Sequence, residues 1–148
     1  MAQLVQGSES LLRLLVGKNI RLEFELGQEL PRVAGNAIEL RQVLVNLVAN
    51  AAEAQADRAG RVRVSVFADG GGLHGNEPYC VLSVADDGPG LTREAQLRLF
   101  DLNYSTKGPA RGVGLAAVRR IVDDHRGSIS LSTSPQGTLF EVRMPAEL

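Results

Sequence analysis

Two hydrophobic periods alternate along this chain, and they predict its elements before any chemistry is considered. Residues 4–16 (LVQGSESLLRLLV) carry apolar positions at helical spacing and stop near Gly17. Ile20, Leu22, Phe24 and Leu26 then alternate with Arg21, Glu23 and Glu25, which predicts a half-buried strand. Pro31 interrupts, and 32–34 predict a second short strand. From about 37 to 56, Leu40, Val43, Leu44, Leu47, Val48 and Ala51 recur as one stripe, the clearest helix in the sequence. Val62, Val64 and Val66 return to period two, the Gly-rich stretch 69–78 reads as a loop, and 79–85 (YCVLSVA) form a strand running into DDGPG. Thr92 stands as N-cap of a short helix to about Phe100. Residues 101–114 read as irregular, and a helix follows from about Val113 to His125 with Leu115, Val118, Ile121 and Val122 inward. Two strands close the chain, one through Ile129, Leu131 and Thr133, the other through Thr138, Phe140, Val142 and Met144, joined by the turn SPQG.

The order mixes hairpin-like strand pairs with helices, unlike the strict alternation of a doubly wound sheet. The expected class is α+β: a sandwich with one mixed, mostly antiparallel sheet, covered on one face by about three helices. With 148 residues and no internal repeat or linker, the whole of 1–148 is expected to be one domain. Aromatic residues are 4% of the chain and Trp is absent, so aliphatic side chains must fill the core. Sixteen Lys+Arg against seventeen Asp+Glu give a net charge of -1 and no electrostatic case for nucleic acid or an acidic membrane surface. A single cysteine, Cys80, excludes an internal disulfide and fits a reducing compartment. No apolar run is long enough to span a bilayer and no signal-peptide pattern opens the chain. A cytoplasmic location is therefore expected, with the possibility left open of a parent protein in the membrane.

Four groups of residues carry candidate chemistry. Asn46 and Asn50 lie four apart on one helix face with Glu39, Glu53 and Asp57, opposite the Leu/Val stripe. Asparagine is a poor interior helix residue, so the pair reads either as carboxamides aimed at a cleft or as a solvated polar face. A neutral amide oxygen can ligate Mg²⁺ already held by phosphates. Asp86, Gly88 and Gly90 place a strong acceptor at a strand end beside backbone that a flat ligand can approach; a plain tight turn explains the same residues. Gly112-Val113-Gly114 at the predicted start of the helix carrying Leu115 would leave N–H groups free for an anion, although glycine also serves in turns. No GK[ST] follows, so this is no P-loop, and no strand runs directly into it, so it is no dinucleotide fingerprint. Lys107 stands just upstream, either as a phosphate-reaching point charge or as an ordinary loop lysine. The two histidines, His74 and His125, lack metal-ligand or triad context and read as structural or solvated.

Taken in order, these segments resemble the catalytic and ATP-binding domain of sensor histidine kinases, with its Bergerat (GHKL) fold. LRQVLVNLVANAAEA is similar to the N box, DDGPG to the G1 box, LFDLNYSTK to the F box and lid, RGVGLAAVRRIVDDHRG to the G2 box, and SISLSTSPQGTLFEVRMP to the closing hairpin with the G3 element. The resemblance runs from about residue 19 to 145. It implies that Asn50 coordinates Mg²⁺ bridging the phosphates of ATP and that Asn46 faces the phosphates one turn earlier. It implies that Asp86 accepts from the adenine amino group, that Gly88 and Gly90 shape the wall, and that Thr138 assists through water. Gly112, Val113, Gly114 and Leu115 would border the phosphates, with Lys107 a lid contact. Asn46 stands where gyrase, MutL and chaperone relatives carry a Glu that activates water, which implies transfer to a protein side chain over hydrolysis.

Three departures accompany the resemblance. Leu102-Asn103 replace the usual Pro-Phe pair, Ala110 replaces the first G2 glycine, and Asn36 replaces the usual Asp before the N box. No helical His followed by Glu or Asp is present. The implied activity is donation of the γ-phosphoryl group of Mg-ATP to a histidine on a separate dimerisation domain, with a response regulator downstream and the isolated domain monomeric. Two other classes stay open: a GHKL ATPase module, and a nucleotide-binding or docking module without kinase activity.

Overall fold

The computed structural model describes residues 1–55, 59–70, 78–100 and 109–147, with 109–113 described through their backbone. Helix α1 (Ala2–Val16) leads to strand β1 (Ile20–Leu26), helix α2 (Ala37–Glu53) and strand β2 (Gly60–Asp69). Strand β3 (Tyr79–Asp86), helix α3 (Arg93–Arg98), helix α4 (Pro109–Asp124) and the hairpin β4 (Ser128–Ser134) and β5 (Gly137–Pro145) complete the order. The strands form one sheet in the order β1-β2-β3-β5-β4. β1 and β2 run parallel, as a helical crossover through α2 requires, and the other three pairings are antiparallel. The sheet is thus mixed and mostly antiparallel, as expected. Three helices are long; α3, a turn and a half, is the fourth.

Alternation decides which face of the sheet is covered. Val62, Val64 and Val66 of β2, Cys80, Leu82 and Val84 of β3, and Phe140, Val142 and Met144 of β5 are all buried in one cluster. The apolar stripe of α2 packs into it, with Leu44, Leu47 and Val48 fully buried, joined by Leu115, Val118, Ile121 and Val122 of α4 and Val5, Leu12 and Val16 of α1. Intervening residues of the outer strands β1 and β2 carry charge, and Glu23 meets Arg21, Arg61 and Arg63 at 3.2, 3.6 and 3.4 Å, whereas Val81 and Ser83 of β3 are buried on that face too. Such exposed pairs add little stability. Burial pushes the Cys80 thiol above its ordinary value, so this cysteine acts as a small core hydrophobe.

Helix ends follow their caps. The Asn36 side chain accepts from the N–H groups of Ile38 and Glu39 at 2.9 and 3.2 Å, so the unusual Asn before α2 performs the N-cap role of an Asp. Thr92 caps α3 as expected, accepting from Ala95 N–H at 3.1 Å. α2 ends three residues earlier than the pattern suggested, at Glu53, and the expected strand at 32–34 is one bridge, Val33 to Ala146.

α4 begins at Pro109, not near Val113, so Gly112 and Gly114 lie inside the helix rather than ahead of it. Proline at a first helical position is pre-organised for the turn and lacks the N–H that would go unpaired, so it starts the helix despite the glycines' poor propensity.

Candidate functional site

Asp86 ends β3, opposite Thr138 of β5, and Thr138 in turn sits opposite Thr133 of β4. Directly paired residues share a face of the sheet, so the three side chains form a row across adjacent strands. The sheet edge of the site is therefore set by register, not by loop conformation. Asp86 Oδ1 accepts from the Gly88 N–H at 2.9 Å, folding the DDGPG segment back over the strand end. Burial pushes the Asp86 carboxyl above its ordinary value; the backbone N–H groups of Gly88 and Thr138 pull it down, and neighbouring Asp87 raises it further. A partly desolvated carboxylate beside tight backbone is a strong hydrogen-bond acceptor.

Glycine is required at two walls of this edge. Gly90 has φ of 85°, and a Cβ there would come within 2.2 Å of the Ser134 carbonyl oxygen. Gly137 has φ of 149°, and its Cβ would lie 2.0 Å from the Asp86 carbonyl oxygen. A Cβ on Gly88 would approach the Ala54 carbonyl to 3.2 Å, so the loop lies against the C-terminal end of α2.

α2 carries the second edge. Asn46 Nδ2 donates to the Gly114 carbonyl at 3.4 Å, and a Cβ on Gly114 would touch the Asn46 side chain, so this part of α4 runs close beside α2. Asn46, Asn50 and Ala54 are one turn apart each on one helix face. From Gly114 through Asn46, Asn50 and Ala54 to Gly88 and Asp86, the site residues form one continuous ledge of about 12 Å along the helix. Asn46 and Asn50 are both half-buried, which excludes the fully solvated polar face. Leu115 is buried in the core beneath this ledge. Lys107 lies outside the described residues, as do Asp57, His74, Leu102 and Asn103; Gly112, Val113 and Ala110 are placed by backbone in α4.

Three contributors were not visible in the sequence pattern. Asp87 Oδ1 accepts from the Arg61 N–H at 2.8 Å, adding a side-chain rung where the β2–β3 ladder ends. Gln55 Nε2 donates to the Arg61 carbonyl at 3.0 Å, tying the end of α2 to the same point. Thr133 Oγ1 accepts from the Leu91 N–H at 3.0 Å and lies 2.9 Å from Thr138 Oγ1. Threonine at an inward position of an otherwise aliphatic strand was the available signal for Thr133; nothing marked the other two. His125 is structural: Nδ1 lies 2.7 Å from the Ile121 carbonyl and Nε2 accepts from the Asn36 N–H at 3.2 Å, linking α4 to the cap of α2.

Among the described residues no group of three or more His, Cys, Asp or Glu could hold a metal alone, and no helix is long and apolar enough to cross a membrane. Asn50 offers a neutral oxygen at the middle of the ledge, a donor suited to sharing Mg²⁺ with phosphates.

Residues 35–148 match the family described as histidine kinase-, DNA gyrase B- and HSP90-like ATPase. The chain is 36% identical over 136 residues to the sensory histidine kinase/phosphatase NtrB of Azospirillum brasilense, covering 86% of this chain and 34% of that protein. It is 34% identical over 146 residues to the C4-dicarboxylate transport sensor protein DctB of Rhizobium meliloti, covering 97% of this chain and 22% of that protein. The chain therefore spans about a third or less of these relatives' length. Among solved structures, the nucleotide-free catalytic domain of histidine kinase ThkA is 28% identical with a TM-score of 0.74, covering 98% of this chain and 90% of that one. Full-length ShkA in complex with AMPPNP is 28% identical with a TM-score of 0.81, covering 97% of this chain and 29% of that one.

Proposed function

Because this chain belongs to the family of histidine kinase-, DNA gyrase B- and HSP90-like ATPases, in the branch of sensor histidine kinase catalytic domains, we propose that residues 1–148 form one unit that binds Mg-ATP and donates its γ-phosphoryl group to a histidine on a separate dimerisation domain. The observation that carries this reading is the continuous ledge from Asp86 to Gly114, with a half-buried, partly desolvated acceptor at one end and two carboxamides at the other.

Asp86 accepts the adenine amino group, and Gly88 and Gly90 keep the wall low enough for a flat ring to lie close. Asn46, Asn50, Gly112 and Gly114 border the phosphates, with Val113 and Leu115 in the same turn; Lys107, outside the described residues, is a phosphate contact by resemblance alone. Asn50 would hold Mg²⁺ together with the phosphates, and the ion would neutralise charge on the phosphate oxygens. Asn46 cannot serve as a base for water, so the ledge positions phosphate for another nucleophile. A histidine ring nitrogen attacks phosphorus in line, the N–P bond forms, and the β–γ bridging P–O bond breaks with its electron pair leaving on ADP. The chain's contribution is positioning and charge stabilisation. The unit acts in the cytoplasm as a monomer, with a response regulator downstream.

The wound start of α4 favours a second reading. Gly114 N–H sits at a regular intrahelical position, where it is already committed to hydrogen bonding, so a cradle of free N–H groups at Gly112–Gly114 is not pre-formed. A nucleotide-binding or docking module without phosphotransfer fits that geometry.

Calorimetric titration with a non-hydrolysable ATP analogue, with and without Mg²⁺, on wild type and Asn50→Ala tests the binding step. Mg²⁺-dependent binding that loses its Mg²⁺ dependence in the variant is expected. Absence of binding by the wild type would overturn the proposal and leave docking. Labelled phosphate appearing on a supplied histidine-bearing dimerisation hairpin separates kinase from plain nucleotide binder.

A further inference from the structure

We infer that Thr133, which does not face the ligand edge first, fixes the direction of the Thr138 hydroxyl and so helps select adenine over guanine; this rests on the adenine reading of Asp86 above. A threonine hydroxyl has one proton and two lone pairs. Thr133 Oγ1 uses one lone pair on the Leu91 N–H at 3.0 Å. Two oxygens compete for its proton: Thr138 Oγ1 at 2.9 Å and the Gly137 carbonyl at 3.5 Å. The first is an ordinary O–H···O separation and the second is too long for a good one. We therefore assign the Thr133 proton to Thr138; the reverse arrangement, with Thr138 donating, would leave the Thr133 proton only the poorer Gly137 contact.

Thr138 accepts from Thr133, so its own proton is free to be donated elsewhere. Thr138 is only 5% exposed and paired in register with Asp86, so that proton belongs to the site edge and not to bulk water. The edge then presents an acceptor at Asp86 and a donor at Thr138, side by side. Adenine presents the complement: an amino donor next to an unprotonated ring nitrogen, met directly or through one water. Guanine presents the reverse, a carbonyl oxygen against the Asp86 carboxylate and a ring N–H against the Thr138 proton. Buried polar groups left mispaired in this way reject a ligand strongly. The Leu91 N–H on Thr133 also ties this row to the DDGPG loop, so the same hydroxyl holds loop and proton direction together.

The test compares ATP- and GTP-analogue affinities in the presence of Mg²⁺ for wild type, Thr133→Val, Thr133→Ser, Thr138→Val and the Thr133→Val, Thr138→Val double variant. Thr133→Val keeps shape and strand propensity but cannot donate; its ATP affinity is expected to fall about tenfold and its ATP-to-GTP ratio by a similar factor. Thr133→Ser restores both. In the Thr138→Val background, Thr133→Val changes the ratio no further. A ratio in folded Thr133→Val equal to the wild type's overturns the inference alone. Should Thr133→Val not fold, a Thr133→Ser ratio well below wild type, with an unchanged melting temperature, overturns it instead. A wild type that binds no nucleotide, or binds both equally, overturns the adenine reading and this inference with it.

Discussion

Replacing Asp86 by Asn separates binding from stability, because the two should move in opposite directions. The Oδ1 atom of Asp86 holds the Gly88 N–H at 2.9 Å. An asparagine has one acceptor oxygen, and keeping that bond requires turning its NH₂ toward the ligand. Two donors then face each other where an amino group should meet a carboxylate. Losing a hydrogen bond to a charged acceptor costs about 1.5–3 kcal/mol, which is about tenfold to a hundredfold in Kd. Stability responds to a different quantity. Burial raises the Asp86 carboxyl above its unfolded value, so the native state holds a proton that the unfolded chain has released. Stability therefore falls as pH rises from the ordinary carboxylate value through the raised one, and stays lower above it. Asparagine has no charge to desolvate and escapes that loss. At pH 7.5 the variant should melt no lower than wild type while binding the ATP analogue at least about tenfold more weakly. Wild-type binding should weaken on acidification starting above the usual carboxylate range, where the variant stays flat. Calorimetric titration and thermal unfolding across pH read all three. Affinity within twofold of wild type, or a melting temperature several degrees lower, would refute the argument.

Two further substitutions probe the frame around the site. Gly137→Ala places a Cβ 2.0 Å from the Asp86 carbonyl at φ of 149°, so it should destabilise by about 1–3 kcal/mol or more and lower the unfolding midpoint in urea accordingly. Asn36→Ala removes the acceptor for two N–H groups at the start of α2 and should cost about 1 kcal/mol, whereas Asn36→Asp should leave the unfolding midpoint unchanged within error.

Much of this molecule was legible in one dimension because the relevant forces are local. Period two in Val62–Val66 and Phe140–Met144 named the buried sheet face, and the stripe from Leu40 to Ala51 named the helix that covers it. Asn46 and Asn50 share a face by helical geometry alone, and Asp86 sits at a strand end because Tyr79–Ala85 runs directly into a glycine-rich turn. The start of α4 departs from the pattern for an equally local reason: glycines and a proline mark a break by composition, and the proline's value as a helix start outweighs them.

What needed three dimensions is everything that depends on which strand lies beside which. Asp86 and Thr138 are 52 positions apart by number (138 less 86), and only the β3–β5 register makes them neighbours. Thr133 enters the site through one more rung, Asp87 through the N–H of Arg61, and Gln55 through the carbonyl of the same residue. The raised carboxyl of Asp86 is likewise a property of the assembled core, since desolvation exists only once helices cover the sheet. Side-chain pattern encodes which surface a residue turns inward, because that is set within a few residues along the chain. Pairing across strands joins segments far apart in sequence, so Asp87 and Gln55 carry no local mark, and Thr133 carries only that of a polar residue at an inward strand position.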